Sequence, residues 1–451
     1  MITPIPSLRD ISGDVDLPTP YGDVDLLRGH EKAGHNPADV RYLSLGATWR
    51  SPHPALARAL GSLPPHAHDY LLTPRGWPAL TDVLRRYITT THRLPGVAEL
   101  GVDYDVAACV GHTRAVMPDF ARLLADEARD RAQGSPLRGL RALVRGRRPI
   151  AVASAPRWDY DGVLGPIGYE IRSFGVRRQE EYQPDVAEVT EVLARARRDT
   201  TGPVLLIVNS QHNPTGANWS AEVVRGMIRA ALAAGAAILV DDAYFGVVDP
   251  GVVPTSALAV LLEELRGIAP ADRPRWLAVR SLGKQFQVNG WGVGSQVASP
   301  DTLRLLGERL TRRTYPGSPL ELAMAAWLTN PESGEFLEHQ NRQFAAKRAE
   351  VGRLLVDELG YPPSAFFTGE CAAYMLARIP PWVTGCQDYR RVVLNRAGVL
   401  LGEAHMSSPG QQLRTQHDHI RLYLGADQQT LAEALKSMSV AGFTWRRPRW
   451  R

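Results

Sequence analysis

Between Ser281 and Gly294 the chain reads SLGKQFQVNGWGVG, with one lysine, four glycines and no arginine. Just before it lies RWLAVRS, an apolar run of strand length. Lys284 therefore sits just past the end of a buried strand, on a glycine-rich turn. IAVASAP, GYEIRSFG, VLLIVNS and AAILVDD are further runs of the same texture, most of them separated by helix-length segments. Strand–helix alternation of this kind predicts an α/β fold with a mainly parallel central sheet flanked by helices. In such sheets ligands gather at the carboxyl ends of the strands.

Working outward, AACVG reads as another short strand, followed by the amphipathic helix HTRAVMPDFARLLADEA. That order puts Gly111, His112 and Thr113 at a helix start, where unpaired N–H groups and the helix dipole favour a phosphate. The pattern is helical from Pro78 to Thr90. The first sixty or so residues are rich in Pro, Gly, His and Asp, and predict an extended arm plus the short helix HPALARALGSL. After Pro319 two helical stretches, PLELAMAAWLTN and SGEFLEHQNRQFAAKRAEVGRLLVDELG, precede short strands, HIRLYLG and a last helix, DQQTLAEALKSMSV. The expected organisation is an N-terminal arm and small-domain segment (1–65), a large domain (66–315) and a smaller α+β C-terminal domain (316–451).

Bulk composition narrows the function classes. The 451 residues are 44% hydrophobic and 22% charged, with a net charge of +5, as in an ordinary globular protein. Cys109, Cys371 and Cys386 have no metal-ligand or disulfide spacing, so a reducing cytoplasm and no metal are expected. The opening MITPIPSLRD has neither a basic nor an apolar signal region. AALAAGAAILV, ending at Asp241, is too short to span a bilayer. The arginine-rich segment EARDRAQGSPLRGLRALVRGRRP has no interleaved aromatics for base stacking, so it reads as a surface insertion and no nucleic acid is expected as a partner. The basic tail TWRRPRWR reads as a frayed or surface-docked terminus.

Chemistry concentrates where strands end: Asn213 in HNPTG, Asp241 and Tyr244 in DDAY, Ser281 and Lys284 in SLGK, and Arg421 in IRLYLG. In this order and spacing they resemble the class I/II aminotransferases, the fold type I pyridoxal-5′-phosphate (PLP) enzymes, from about Tyr70 to the last helix. The resemblance implies that the 66–315 domain binds PLP and that Lys284 forms the Schiff base with its aldehyde. Asp241 would pair with the ring nitrogen, and Asn213 and Tyr244 with its phenolic oxygen. Trp158 would stack on the ring, while Gly111, His112, Thr113 and Ser281 would hold the phosphate. Arg421 would grip the substrate carboxylate through a two-pronged contact, with Asn213 and Trp158 also facing the substrate.

Two positions depart from the family pattern. Its arginine eight residues past the lysine is Gly292 here, and Arg280 or Arg114 is expected to supply the missing charge. Tyr70, expected to reach the partner subunit's phosphate, lies one residue further from the following glycine than the family's tyrosine. His405 is a further candidate for facing the substrate, or a surface-loop histidine. The resemblance implies an amino-acid substrate, chemistry through an external aldimine and a quinonoid, and a homodimer. Transamination is the leading outcome. The alternative is elimination, replacement, C–C bond formation, cyclisation or oxidation on a bulky amino acid such as S-adenosylmethionine, with Gly292 opening room for it. A DNA-binding regulator on the same scaffold is a third reading, which the Pro- and Gly-rich N-terminus does not favour.

Overall fold

The computed structural model describes residues 21–44, 52–65, 67, 69, 73, 75–109, 112–133, 148–311, 318–383, 385–404 and 418–446. Tyr70, Gly111, His405, most of the arginine-rich segment and the end of the basic tail lie outside the described residues.

A short strand, β1 (Arg41–Leu43), comes first in the chain. The large sheet is built from β2 (Asp105–Cys109), β3 (Ile150–Ala155), β4 (Glu170–Gly175), β5 (Val204–Val208), β6 (Ala237–Asp241), β7 (Trp276–Ser281) and β8 (Gly294–Ala298), in the spatial order β2-β8-β7-β6-β5-β3-β4. Neighbours from β7 to β4 are parallel. β8 runs antiparallel to both β2 and β7. Its sequence, GSQVA, has little of the β-branched and apolar character of β5 and β6, and pairing on both edges makes it a strand.

Side chains along these strands alternate between two cores. Leu206 and Val208, Ile238 and Val240, and Trp276 and Ala278 pack with Leu84, Leu193, Ile228 and Leu261 from the helices Pro78–Thr91, Val186–Asp199, Ala221–Ala233 and Ala257–Arg266. Leu205 and Ile207, Ala237 and Leu239, and Leu277 and Val279 pack on the other face with Met117, Phe120 and Leu124 of the Thr113–Gln133 helix. Covering both faces explains why the central strands read as unbroken apolar runs.

A second sheet adds β9 (Phe366–Phe367), β10 (Tyr374–Arg378), β11 (Val399–Glu403) and β12 (His419–Tyr423), in the order β1-β11-β12-β10-β9. β1 pairs parallel with β11, Tyr42 opposite Leu400, so a segment from the first fifty residues completes a sheet formed by the last hundred. The expected cut at 315 precedes the Ser318–Leu328 helix, whose Met324 and Trp327 belong to a core of the large sheet.

The reading of the first sixty residues needs correction, because Tyr21–Lys32 is a helix. It lacks a strong apolar stripe and is held by polar tertiary contacts that local sequence does not reveal. Tyr42 Oη donates to Asp23 Oδ2 at 2.7 Å, Arg390 Nη2 donates to Asp23 Oδ1 at 2.6 Å, and His30 Nδ1 lies 2.9 Å from Asn395 Oδ1. Arg390 and Asp23 are both buried, their side chains 3% and 4% exposed. Arg390 also pairs through Nη1 with Glu403 Oε1 at 2.7 Å, so removing Asp23 leaves its Nη2 without a partner but not its whole charge. Asp23→Ala is therefore expected to cost about 2 kcal/mol of stability, read from urea denaturation. Asp25→Ala, on the exposed side of the same helix, should stay within about 0.5 kcal/mol of wild type.

Candidate active site

At the carboxyl ends of β5, β6 and β7 the alternation delivers three polar side chains to one face. Asp241 continues the Ala237–Leu239 face, Ser281 the Leu277–Val279 face, and Asn209 follows β5 on the Leu205–Ile207 face. They line a cavity of about 300 Å3 with His112, Thr113, Arg114, Met117, Trp158, Asn213, Ala243, Lys284 and Asn289. The first turn of the Thr113–Gln133 helix thus faces the strand ends, with its dipole directed at the cavity.

The Asp241 carboxylate is buried and held on both oxygens. Tyr160 Oη donates to Oδ2 at 2.7 Å and the Ala243 N–H donates to Oδ1 at 3.3 Å. Burial pushes its pKa above the usual carboxylate value, opposed by the Tyr160 hydrogen bond and the charge of Lys284. Asn209 joins two strand ends: its Nδ2 donates to the Asp241 carbonyl at 2.6 Å and its Oδ1 accepts the Asn213 N–H at 2.8 Å. Behind Asn213, His212 sits between Ser154 Oγ at 2.8 Å and Thr215 Oγ1 at 2.7 Å, and burial pushes its pKa down to about 3. A neutral imidazole therefore supports the turn. Tyr160, Asn209 and Asn289 were not expected from the sequence. The available signals were weak: an aromatic two residues past Trp158, and a polar residue ending VLLIV.

Lys284 lies in the short helix Leu282–Phe286, with Nζ 5.2 Å from the centre of the Tyr244 ring. The Tyr244 hydroxyl donates to Tyr374 Oη on β10 at 2.8 Å, and Tyr244 is absent from the cavity lining. Arg421 on β12 is buried, donates from Nη1 to Asn213 Oδ1 at 3.2 Å and from Nη2 to the Ser44 carbonyl at 3.3 Å, and stacks 4.3 Å over the Tyr374 ring. Its Nε has no hydrogen-bond partner among the described residues. A buried guanidinium with a spare N–H fits an anionic ligand.

Arg280 does not reach the cavity, which overturns its expected place at a phosphate. It precedes Ser281 on β7, so its side chain leaves the opposite face. There its guanidinium lies 4.8 Å from both the Tyr87 and Phe245 rings and donates to Thr91 Oγ1 at 2.6 Å. Arg114 does line the cavity, though it donates to Asp159 Oδ2 at 2.7 Å and lies 5.1 Å over the Trp158 ring. His112 borders the space beside Gly292. The glycine adopts φ +68°, and a Cβ there would lie 3.2 Å from His112 Nε2.

Taken together, one primary amine, one buried carboxylate, an aromatic face and a helix start beside two hydroxyls fit the aldehyde, basic ring nitrogen, flat ring and phosphate of PLP. A family model described as aminotransferase class I and II matches residues 142–438. The chain is 26% identical over 240 residues to a probable aminotransferase of Mycobacterium tuberculosis, a match covering 52% of this chain and 50% of that one. It is 26% identical over 292 residues to a probable N-succinyldiaminopimelate aminotransferase of the same species, covering 61% and 63%. These matches span only half to under two thirds of the relatives' lengths. A single mutant of Thermus thermophilus aspartate aminotransferase superimposes with a TM-score of 0.72 at 19% identity, over 95% of this chain and 98% of that one. At that identity the likeness establishes the fold alone. None of these names points to the non-transaminating alternative.

Two substitutions test this geometry. Tyr160→Phe removes a contact that lowers the Asp241 pKa, so that pKa should rise further. The carboxylate is then protonated over a wider range, and PLP affinity should fall by about tenfold. The deficit should widen as pH falls towards the Asp241 pKa, measured by absorbance titration of the apoprotein. Gly292→Arg combines a positive φ with contact against His112. It should cost about 1–3 kcal/mol in thermal unfolding and leave PLP affinity no tighter.

Proposed function

Because the chain belongs to the class I and II aminotransferases, the fold type I PLP enzymes, we propose that it moves the α-amino group of an amino acid to a 2-oxo acid. One observation carries this reading: Lys284, the Asp241 carboxylate and Asn213 line the same small cavity, with Arg421 hydrogen-bonded to Asn213. An amine, a ring-nitrogen partner and a carboxylate grip are what amino transfer requires within the span of one amino acid.

PLP supplies an aldehyde that captures amines and a ring that draws electrons from the amino acid's α-carbon. Asp241 would keep the ring nitrogen protonated, and the two hydrogen bonds to its buried carboxylate favour the ionised, oriented form that this needs. Lys284 Nζ takes the proton from the α-carbon and returns it later in the transfer. Arg421 orients the substrate by its carboxylate, and Trp158 covers one side of the cavity.

A homodimer is part of the same reading and rests on the family resemblance. A reducing cytoplasm is a separate expectation that rests on the spacing of Cys109, Cys371 and Cys386, which are buried free thiols. No described helix is long and apolar enough to cross a membrane.

The test is amino-group stoichiometry. Reconstituted protein is given a panel of amino acids with 2-oxoglutarate, beginning with the diaminopimelate derivative and the aspartate named in the matched proteins. One substrate should yield a new amino acid and a new 2-oxo acid in equal amounts. Ammonia release or oxygen uptake in place of that balance would exclude transamination. Lys284→Ala should abolish turnover and the adduct trapped by borohydride, and an adduct on another lysine would overturn the assignment.

A further inference from the structure

His112 is one of few non-glycine residues described with a positive φ, at +77°. A side chain in that region carries a conformational cost, and such strain persists where the surroundings over-determine it. Here the surroundings are a second residue of the same kind. The His112 N–H donates to the Gly292 carbonyl at 2.9 Å, and Gly292 itself sits at φ +68°. A Cβ on Gly292 would lie 3.2 Å from Nε2 and 3.3 Å from Cδ2 of the imidazole. A side chain at 292 and the ring at 112 therefore compete for one space, and the glycine leaves that space to the ring.

We propose that the His112 imidazole, seated against Gly292, is a ligand for the 5′-phosphate of PLP and does the work otherwise expected of an arginine at 292. The inference rests on the cofactor assignment and is independent of the reaction that follows.

His112 lines the cavity beside Thr113 and Ser281, at the start of the helix that faces the strand ends. The other cations considered for this role are engaged elsewhere. Arg114 is paired with Asp159 and stacked on Trp158, and Arg280 lies on the far face of β7 among aromatic rings. No described residue hydrogen-bonds the His112 ring. The charged groups that line the cavity with it are Lys284, Arg114 and Asp241, and Arg114 is paired with Asp159. Partial burial and Lys284 lower the His112 pKa in the absence of an anion. An imidazole still donates an N–H when neutral, and a phosphate alongside favours the charged form, which donates two.

The test compares PLP with pyridoxal, which has the same ring and aldehyde and lacks the phosphate. Both affinities are measured by absorbance titration of apoprotein for wild type, His112→Gly and His112→Asn. Glycine and asparagine accept a positive φ, so both variants keep the turn while losing the imidazole. PLP affinity should fall by about tenfold or more in each, with pyridoxal affinity unchanged and the apoprotein melting temperature not lowered. Added imidazole should restore PLP affinity to the glycine variant. Unchanged PLP affinity in both variants would overturn the proposal, as would PLP and pyridoxal weakening in step, which would mark His112 as merely structural. Wild type that binds PLP no better than pyridoxal would overturn it too. None of these readouts needs turnover.

Discussion

A carboxylate buried at the end of a central strand is costly unless it is hydrogen-bonded and faces a cation. Asp241 meets that requirement with Tyr160 on one oxygen, the Ala243 N–H on the other and the Lys284 charge near by. Much of the site is arranged around it. Tyr160 comes from the short helix after β3, and Asn209 ties the Asp241 carbonyl to the Asn213 turn. His212, kept neutral by burial, supports that turn from behind. The carboxylate is therefore oriented before any ligand arrives, which is the condition for holding a proton at a fixed point on a ring.

The two sheets meet through polar contacts as much as apolar ones. Tyr374 on β10 accepts the Tyr244 hydroxyl and offers its ring face to Arg421 on β12. Arg421 in turn reaches Asn213 from the large sheet and the Ser44 carbonyl just past β1. One guanidinium thus joins the HNPTG turn, the C-terminal sheet and the N-terminal segment. Buried polar networks of this kind fix a relative placement that packing alone would leave adjustable.

Cation placement follows from strand geometry. Neighbouring residues on a strand point to opposite faces, so Ser281 enters the cavity while Arg280 enters the cluster of Tyr87, Thr91 and Phe245. The groups left facing the cavity are a lysine, an arginine already bound to Asp159, an imidazole and a helix start. An anion held at that end would meet N–H groups and hydroxyls more than full charges.

Local sequence determined what depends on local periodicity and on spacing along one element. Apolar runs of strand length located β2 to β7, helical stripes located the main helices, and Lys284, Asp241, Asn213 and Arg421 stood out as candidates because each follows, ends or lies in such a run. The rest depended on partners distant in the chain. Tyr21–Lys32 became a helix and β8 a strand through tertiary pairing, and Tyr160 met Asp241 across 81 positions. The choice between Arg280 and its neighbours required knowing which face of β7 looks at the cavity. The occupant of the space beside Gly292 required two backbone positions, 112 and 292, brought together by a hydrogen bond that no local pattern encodes.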